Sequence, residues 1–263
     1  MINNQEKRPF FSHLEDLRWH LVRSVLAILV GSILTFLNKS FIFDYIIFAC
    51  KNNDFPTYVF LCNLSNKLCI QDMPFILMNV EMAGQFTMHL LVSFVAGLII
   101  VFPYILFEIW SFISPALYNN EKKISVLIFI FSFILFVIGI LFGYFVIVPF
   151  SINFLSSYSI SGSIENNIHF ISFIKTMTTL VLTTGFLFQL PLFIYFLTKF
   201  NFINASQLKQ YRRHAFVIIL LIASILTPPD IFSQILIGLP IFVLYEFSIL
   251  VAQLTSSNNE INR

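Results

Sequence analysis

Apolar residues run through this chain in blocks rather than in alternation. Six blocks approach or exceed the roughly 20 residues with which an α-helix crosses about 30 Å of hydrocarbon. They cover residues 21–37, 83–107, 124–148, 170–198, 214–226 and 231–252. Short polar stretches separate them, except for one long mixed segment at residues 38–82. The pattern predicts an all-α polytopic membrane protein with six transmembrane helices, built as a single membrane domain over residues 1–263. The fifth block is short. From Ala215 to Leu226 it gives roughly 18 Å of helix before Thr227, Pro228, Pro229 and Asp230. Two prolines cannot extend a helix, so either the bilayer thins here or the turn at Pro228, Pro229 and Asp230 sits below the outer surface. Asp230 suits the N-cap of the last helix, and Pro240 is placed to kink that helix.

Charge orients the blocks. Lys7, Arg8, Arg18, Arg23, Lys122, Lys123, Lys199, Lys209, Arg212, Arg213 and Arg263 flank the spans on one side. Only Lys39, Lys51 and Lys67 flank them on the other. Cationic loops stay inside, so both termini are predicted to face the inner side and residues 38–82 to form a long outer loop.

Composition agrees. Hydrophobic residues make up 58% of the chain and charged residues 11%, against about 25% charged in soluble domains. A net charge of +2 gives no footing for nucleic acid. The 34 phenylalanines beside 8 glycines fit an AT-rich genome such as an organelle's. The first 20 residues hold no apolar core with a small-residue cleavage site, so no cleavable targeting peptide is expected. These features favour a mitochondrial inner membrane, with a bacterial cytoplasmic membrane as the alternative.

Motifs for catalysis are missing from the sequence. It contains no phosphate-binding glycine loop, no HExxH and no GxSxG. No catalytic residue, cofactor or metal site is predicted. Gly139 and Gly143 form a GxxxG that permits close helix packing. Cys50, Cys62 and Cys69 all fall in the outer loop, where they read as small hydrophobic residues; a Cys62–Cys69 disulfide is the alternative. The segment "FIFDYIIFAC" at the start of that loop is amphipathic and suited to the interface. Ser12 and Glu15 read as a capping box that starts a helix. On that helix Leu14, Leu17 and Leu21 share one face, while His13, Asp16 and His20 share another at the surface.

Polar groups inside the blocks are costly and therefore informative. Glu108 ends the second span and reads as interfacial. Gln189 lies inside the fourth span, two residues before Pro191, where its amide can bond backbone freed by the proline or face a polar cavity. Glu246 lies deep in the last span and must be protonated, paired or watered, with His89 and Arg23 as candidate partners. Tyr104, Trp110 and Tyr118 suit an aromatic belt.

Several of these stretches, in this order, resemble the TatC family, the multispanning subunit of the twin-arginine protein translocase. "SHLEDLRWHL" is similar to its N-terminal signature and "IWSFISPALYNNEKK" to its first inner loop. "FQLP" resembles its fourth span, and "TPPDIFSQ" and "PIFVLYE" its last outer turn and final span. The resemblance implies a glove-shaped bundle that recognises signal peptides carrying two adjacent arginines and moves folded proteins on the proton-motive force. It places the signal-peptide-binding acids at Asp16 and Glu121, where carboxylates meet guanidinium groups in charge-assisted bonds. Lys122 and Lys123 would anchor that loop to anionic lipid. Gln189 stands where the family often has glutamate, and His20 where it usually has a further basic residue. The implied partners are single-span subunits of the TatA and TatB type, further copies of the chain, and membrane lipid. On the residues alone, a small proton-coupled secondary transporter using Glu246 and Asp230, or a respiratory-complex assembly subunit, stays open. Against them, no internal repeat links the first and last three spans, and intramembrane acids are few and scattered.

Overall fold

The computed structural model describes residues 10–52, 54–64, 76–113, 122–158, 167–199, 202–226 and 231–261. Ten α-helices are present among them: α1 (Phe10–Leu37), α2 (Pro56–Leu64), α3 (Gly84–Ile113), α4 (Lys122–Phe142), α5 (Val148–Ser157), α6 (Phe170–Leu187), α7 (Leu190–Lys199), α8 (Ala205–Gln210), α9 (Arg212–Leu226) and α10 (Ile231–Ile261). Among the described residues, five stretches are long and apolar enough to cross a membrane: Leu14–Leu37, Gly84–Phe112, Val126–Ser157, Phe170–Lys199 and Gln234–Gln253. They overlap five of the six expected apolar blocks. The remaining block is α9, whose 15 residues give roughly 22 Å of helix. It begins at Arg212, slightly before the expected start, and is short as anticipated.

Contacts divide the chain into two compact units. The first comprises Met1–Asn38 and Ser93–Phe133. Here α1 and the later part of α3 approach closely at Gly31 and Gly97. A Cβ on Gly97 would lie 2.5 Å from the Ser32 nitrogen and 2.8 Å from the Gly31 carbonyl carbon. One turn on, Thr35 Oγ1 donates to the Ser93 carbonyl at 2.7 Å. Small residues let backbones approach, and a buried hydroxyl then bonds across the gap. Helix α1 begins at Phe10, two residues before Ser12. Leu14, Leu17 and Leu21 are all exposed.

The second unit comprises Lys39–Val92 and Ile134–Arg263. Its core is aliphatic, with Ile147, Val148, Ile174, Leu180, Ile237, Ile241 and Ile249 buried. Gly139 and Gly143 do serve close packing: a Cβ on Gly139 would lie 2.9 Å from the Thr184 carbonyl oxygen. The expected single fourth span is broken into α6 and α7 by a turn at Phe188 and Gln189. Pro191 explains the break, because it has no N–H for the Leu187 carbonyl and its ring crowds the preceding turn. The last span bends no such break around Pro240, which lies within continuous α10. That helix packs on α7, α8 and α9.

The segment after α1 forms a π-helical turn at Phe41–Ile47 and a 3₁₀ turn at Phe48–Lys51. It is amphipathic, burying Ile42, Ile47 and Cys50 and exposing Phe41 and Tyr45. Tyr144 donates to the Ile46 carbonyl at 2.8 Å, Tyr58 to the Cys50 carbonyl at 3.0 Å, and Thr57 to the Phe145 carbonyl. Burial pushes the Cys50 thiol up to about 12 and raises the Tyr58 hydroxyl. Cys50 is free, whereas Cys62 is disulfide-bonded, which corrects its reading as a small hydrophobic residue; Cys69 lies outside the described residues. A short parallel pair joins Ile76–Met78 (β1) to Asn167–His169 (β2), Ile76 opposite Asn167.

Candidate functional site

Among the described residues, the expected acids Asp16, Glu108 and Glu246 each lie in a different environment. Asp16 is exposed on α1, four residues and about one turn before His20. Glu121 falls between the end of α3 at Ile113 and the start of α4 at Lys122, outside the described residues. Pro228, Pro229 and Asp230 are likewise outside them, between α9 and α10.

Glu108, expected to be interfacial, is enclosed by its own chain. It is only 4% exposed, and both of its oxygens are engaged within the first unit. Tyr104 donates to Oε1 at 2.6 Å, and His20 Nδ1 lies 2.5 Å from Oε2. Arg23 is near enough to act on the same carboxylate electrostatically. The His20 ring also meets Phe112 edge-on at 6.0 Å. His20 is thus no surface histidine, and Tyr104 does more than sit in an aromatic belt. A carboxylate in an apolar stretch must be paired or lose its charge, and here one helix supplies a hydroxyl and another an imidazole. The sequence did carry half of this signal, since Tyr104 and Glu108 stand four apart on one helix face.

Glu246 is also held by its own chain, but not by the expected His89 or Arg23. Arg212 at the start of α9 donates to Glu246 Oε2 at 2.7 Å. Beside it, Tyr245 donates to the Leu208 carbonyl at 2.8 Å, so the end of α8 and the start of α9 are both fastened to α10. His89 instead lines a cavity of about 610 Å³ together with Lys39 and Asp44, its ring edge-on to Phe43. Gln189 is half-buried in the α6–α7 turn. Its N–H donates to the Phe186 carbonyl, and its own carbonyl accepts from Phe193, both at 3.0 Å. Those bonds tie the turn to α6 on one side and to α7 on the other. Among the described residues, no group of three or more His, Cys, Asp or Glu is arranged to hold a metal ion.

The described residues offer an exposed acid near the start of α1, a buried acid, Glu108, and a partly exposed one, Glu246, the last two each meeting a basic side chain from another helix. A family model described as Sec-independent protein translocase protein (TatC) matches residues 12–240. The chain belongs to the TatC family. The TatC protein of Blattabacterium sp. subsp. Periplaneta americana is 40% identical, over 96% of this chain and 97% of its own length. The Helicobacter pylori strain 26695 TatC is 35% identical, over 93% of this chain and 87% of its own. A solved structure described as the twin arginine translocase receptor TatC superposes with a TM-score of 0.75 at 28% identity, covering 93% of this chain and 99% of that one. A second, of that receptor in the detergent DDM, gives 0.73 at 29% identity. The matched region of the TatC model takes in Asp16, Glu108, Glu121, Gln189 and Asp230, and stops short of Glu246.

Proposed function

We propose that this chain is the signal-peptide-recognising core subunit of a twin-arginine, Sec-independent protein translocase. The observation that carries the reading is the TatC match over residues 12–240, which takes in both acidic motifs. In this reading Asp16 and Glu121 lie on the inner side of the membrane and accept the paired guanidinium groups of a passenger's signal peptide. Bidentate contacts between guanidinium and carboxylate are short, directional and roughly twice as strong as neutral ones. The exposure of Asp16 supports its part. Glu108 is unsuited to the task, because it is buried and already bonded on both oxygens.

The remaining functional assignments rest on the same reading. Both termini face the inner side, six helices span the membrane, and α9 is the short fifth. Gln189, at a break in the fourth span, offers its amide to a polar transmembrane helix of a TatA- or TatB-type partner, and several copies of the chain assemble in one complex. Passengers cross folded, driven by the proton-motive force. The protein is integral to a membrane. We take this to be a bacterial cytoplasmic membrane in preference to the mitochondrial inner membrane, because the relatives named above are bacterial.

The test is binding of a twin-arginine signal peptide to the full-length protein in lipid nanodiscs. Glu121→Lys is expected to abolish binding while leaving membrane insertion intact, with Asp16→Asn weakening it. Wild-type affinity in Glu121→Lys would overturn the assignment.

A further inference from the structure

Helix α1 buries little of its surface along its N-terminal half. From Leu14 to Val30 no residue is buried; only His20, Ser24, Ala27 and Ile28 are even half-buried. Those four recur at helical spacing and define one face. The tight contact with α3 begins only at Gly31 and continues to Thr35. Below it, His20 meets Glu108 at 2.5 Å, and Tyr104 completes the cluster at 2.6 Å.

We propose that the His20–Glu108–Tyr104 cluster is a positioning clamp, which fixes the N-terminal half of α1 on α3 and so sets where Asp16 is presented. The inference deepens the signal-peptide reading and rests on it. Asp16 and His20 are four residues apart, so they lie one above the other on the same side of α1. Fixing His20 fixes the helix one turn from Asp16. Glu108 is a suitable anchor because its burial makes an unmade bond costly. Tyr104 holds it from its own helix and leaves Oε2 for α1. His20 and Tyr104 are positioning residues: neither is assigned a contact with the peptide.

Two substitutions at one position separate hydrogen bonding from packing. His20→Asn keeps a donor near the place of Nδ1 and loses the ring that meets Phe112. His20→Phe keeps a ring and loses the donor. Each full-length variant is placed in nanodiscs and read twice. One reading is affinity for a synthetic twin-arginine peptide. The other is the distance distribution between spin labels at the exposed positions Leu17 and Ile109. His20→Phe is expected to weaken binding about tenfold, as loss of a bond to a charged group implies, and to broaden the distribution. His20→Asn is expected to restore both. If His20→Phe does not accumulate, Tyr104→Phe, which removes one donor from Glu108, is expected to give a smaller change in the same direction.

The proposal is overturned if His20→Phe binds peptide as wild type does while Asp16→Asn loses affinity. It is equally overturned if His20→Asn behaves no better than His20→Phe, since ring packing would then be the whole effect. If Asp16→Asn binds normally, the signal-peptide reading of Asp16 fails. The spin-label distances then decide the clamp alone: narrow in wild type and His20→Asn with broad in His20→Phe sustains it, and equal widths refute it.

Discussion

Gly97→Ala is expected to loosen the first unit, and the size of the effect follows from the backbone geometry. The added methyl would stand 2.5 Å from the Ser32 nitrogen, 2.7 Å from Ser32 Cα and 2.8 Å from the Gly31 carbonyl carbon. All three are backbone atoms, so no rotamer change relieves the clash. Ordinary contact needs about 3.5–4 Å, so α1 and α3 must part by about 1 Å. Overpacking of this kind costs about 1–3 kcal/mol. One turn away, the 2.7 Å bond from Thr35 to the Ser93 carbonyl would stretch out of range, removing about 1 kcal/mol more. Alanine's better helix propensity returns about 1 kcal/mol, leaving a net loss of about 1–3 kcal/mol. The matched control is Gly238→Ala, whose nearest neighbour is the mobile end of Leu220 at 3.3 Å. It gains the same propensity without meeting backbone. Thermal unfolding in detergent, followed by size-exclusion fluorescence, should show Gly97→Ala melting about 5 °C below wild type and Gly238→Ala at or above it. Equal midpoints for the two variants would show that the α1–α3 approach is not as tight as these distances state.

Three further outcomes are expected. Arg212 and Glu246 are both partly exposed, at 48% and 34%, so their coupling in a double-mutant cycle should be about 1 kcal/mol or less; Arg212→Met alone should destabilise more than Arg212→Met with Glu246→Met, because the single change strands a carboxylate, and a double variant weaker than the single one would contradict this. Cys50 is held protonated, its thiol raised from 9.0 to about 12; its contribution to stability is therefore complete below about pH 9 and is lost as pH climbs toward 12, a decline that Cys50→Ala should reduce in unfolding midpoints taken across that range, and maleimide labelling of Cys50 in the folded protein at neutral pH would refute the burial. Gln189→Leu should impair assembly with single-span partners, seen as a smaller complex on native gels, and a complex of unchanged size would remove Gln189 from the partner surface.

The spans were legible because their signal is additive: hydropathy averages over about 20 residues and survives a local irregularity. For the same reason it passed over the break at Phe188 and Gln189, where a single missing N–H at Pro191 outweighs an unbroken apolar run. Polar residues within the spans were legible only as problems. The cost of an isolated charge says that Glu108 and Glu246 need partners, but not which. The partners come from helices 88 and 34 residues away, and which residues meet depends on how the helices pack. Tyr104 was the exception, being within reach on the same helix face. The cysteines illustrate the same limit, since three of them allow three pairings and only tertiary structure buries Cys50. For Asp16 and Glu121 the sequence offered an acid near a helix start and an acid beside two lysines, both ordinary surface features. Their assignment came through resemblance to a family, and physical reasoning adds a constraint rather than an identity. Glu108 and Glu246 are already bonded to groups of their own chain, so accepting a guest's arginines would require each to give up a partner. In the proposed reading, the exposure of Asp16 lowers the desolvation cost of meeting a guanidinium group relative to buried Glu108, and the proposed clamp would set how rigidly α1 presents it.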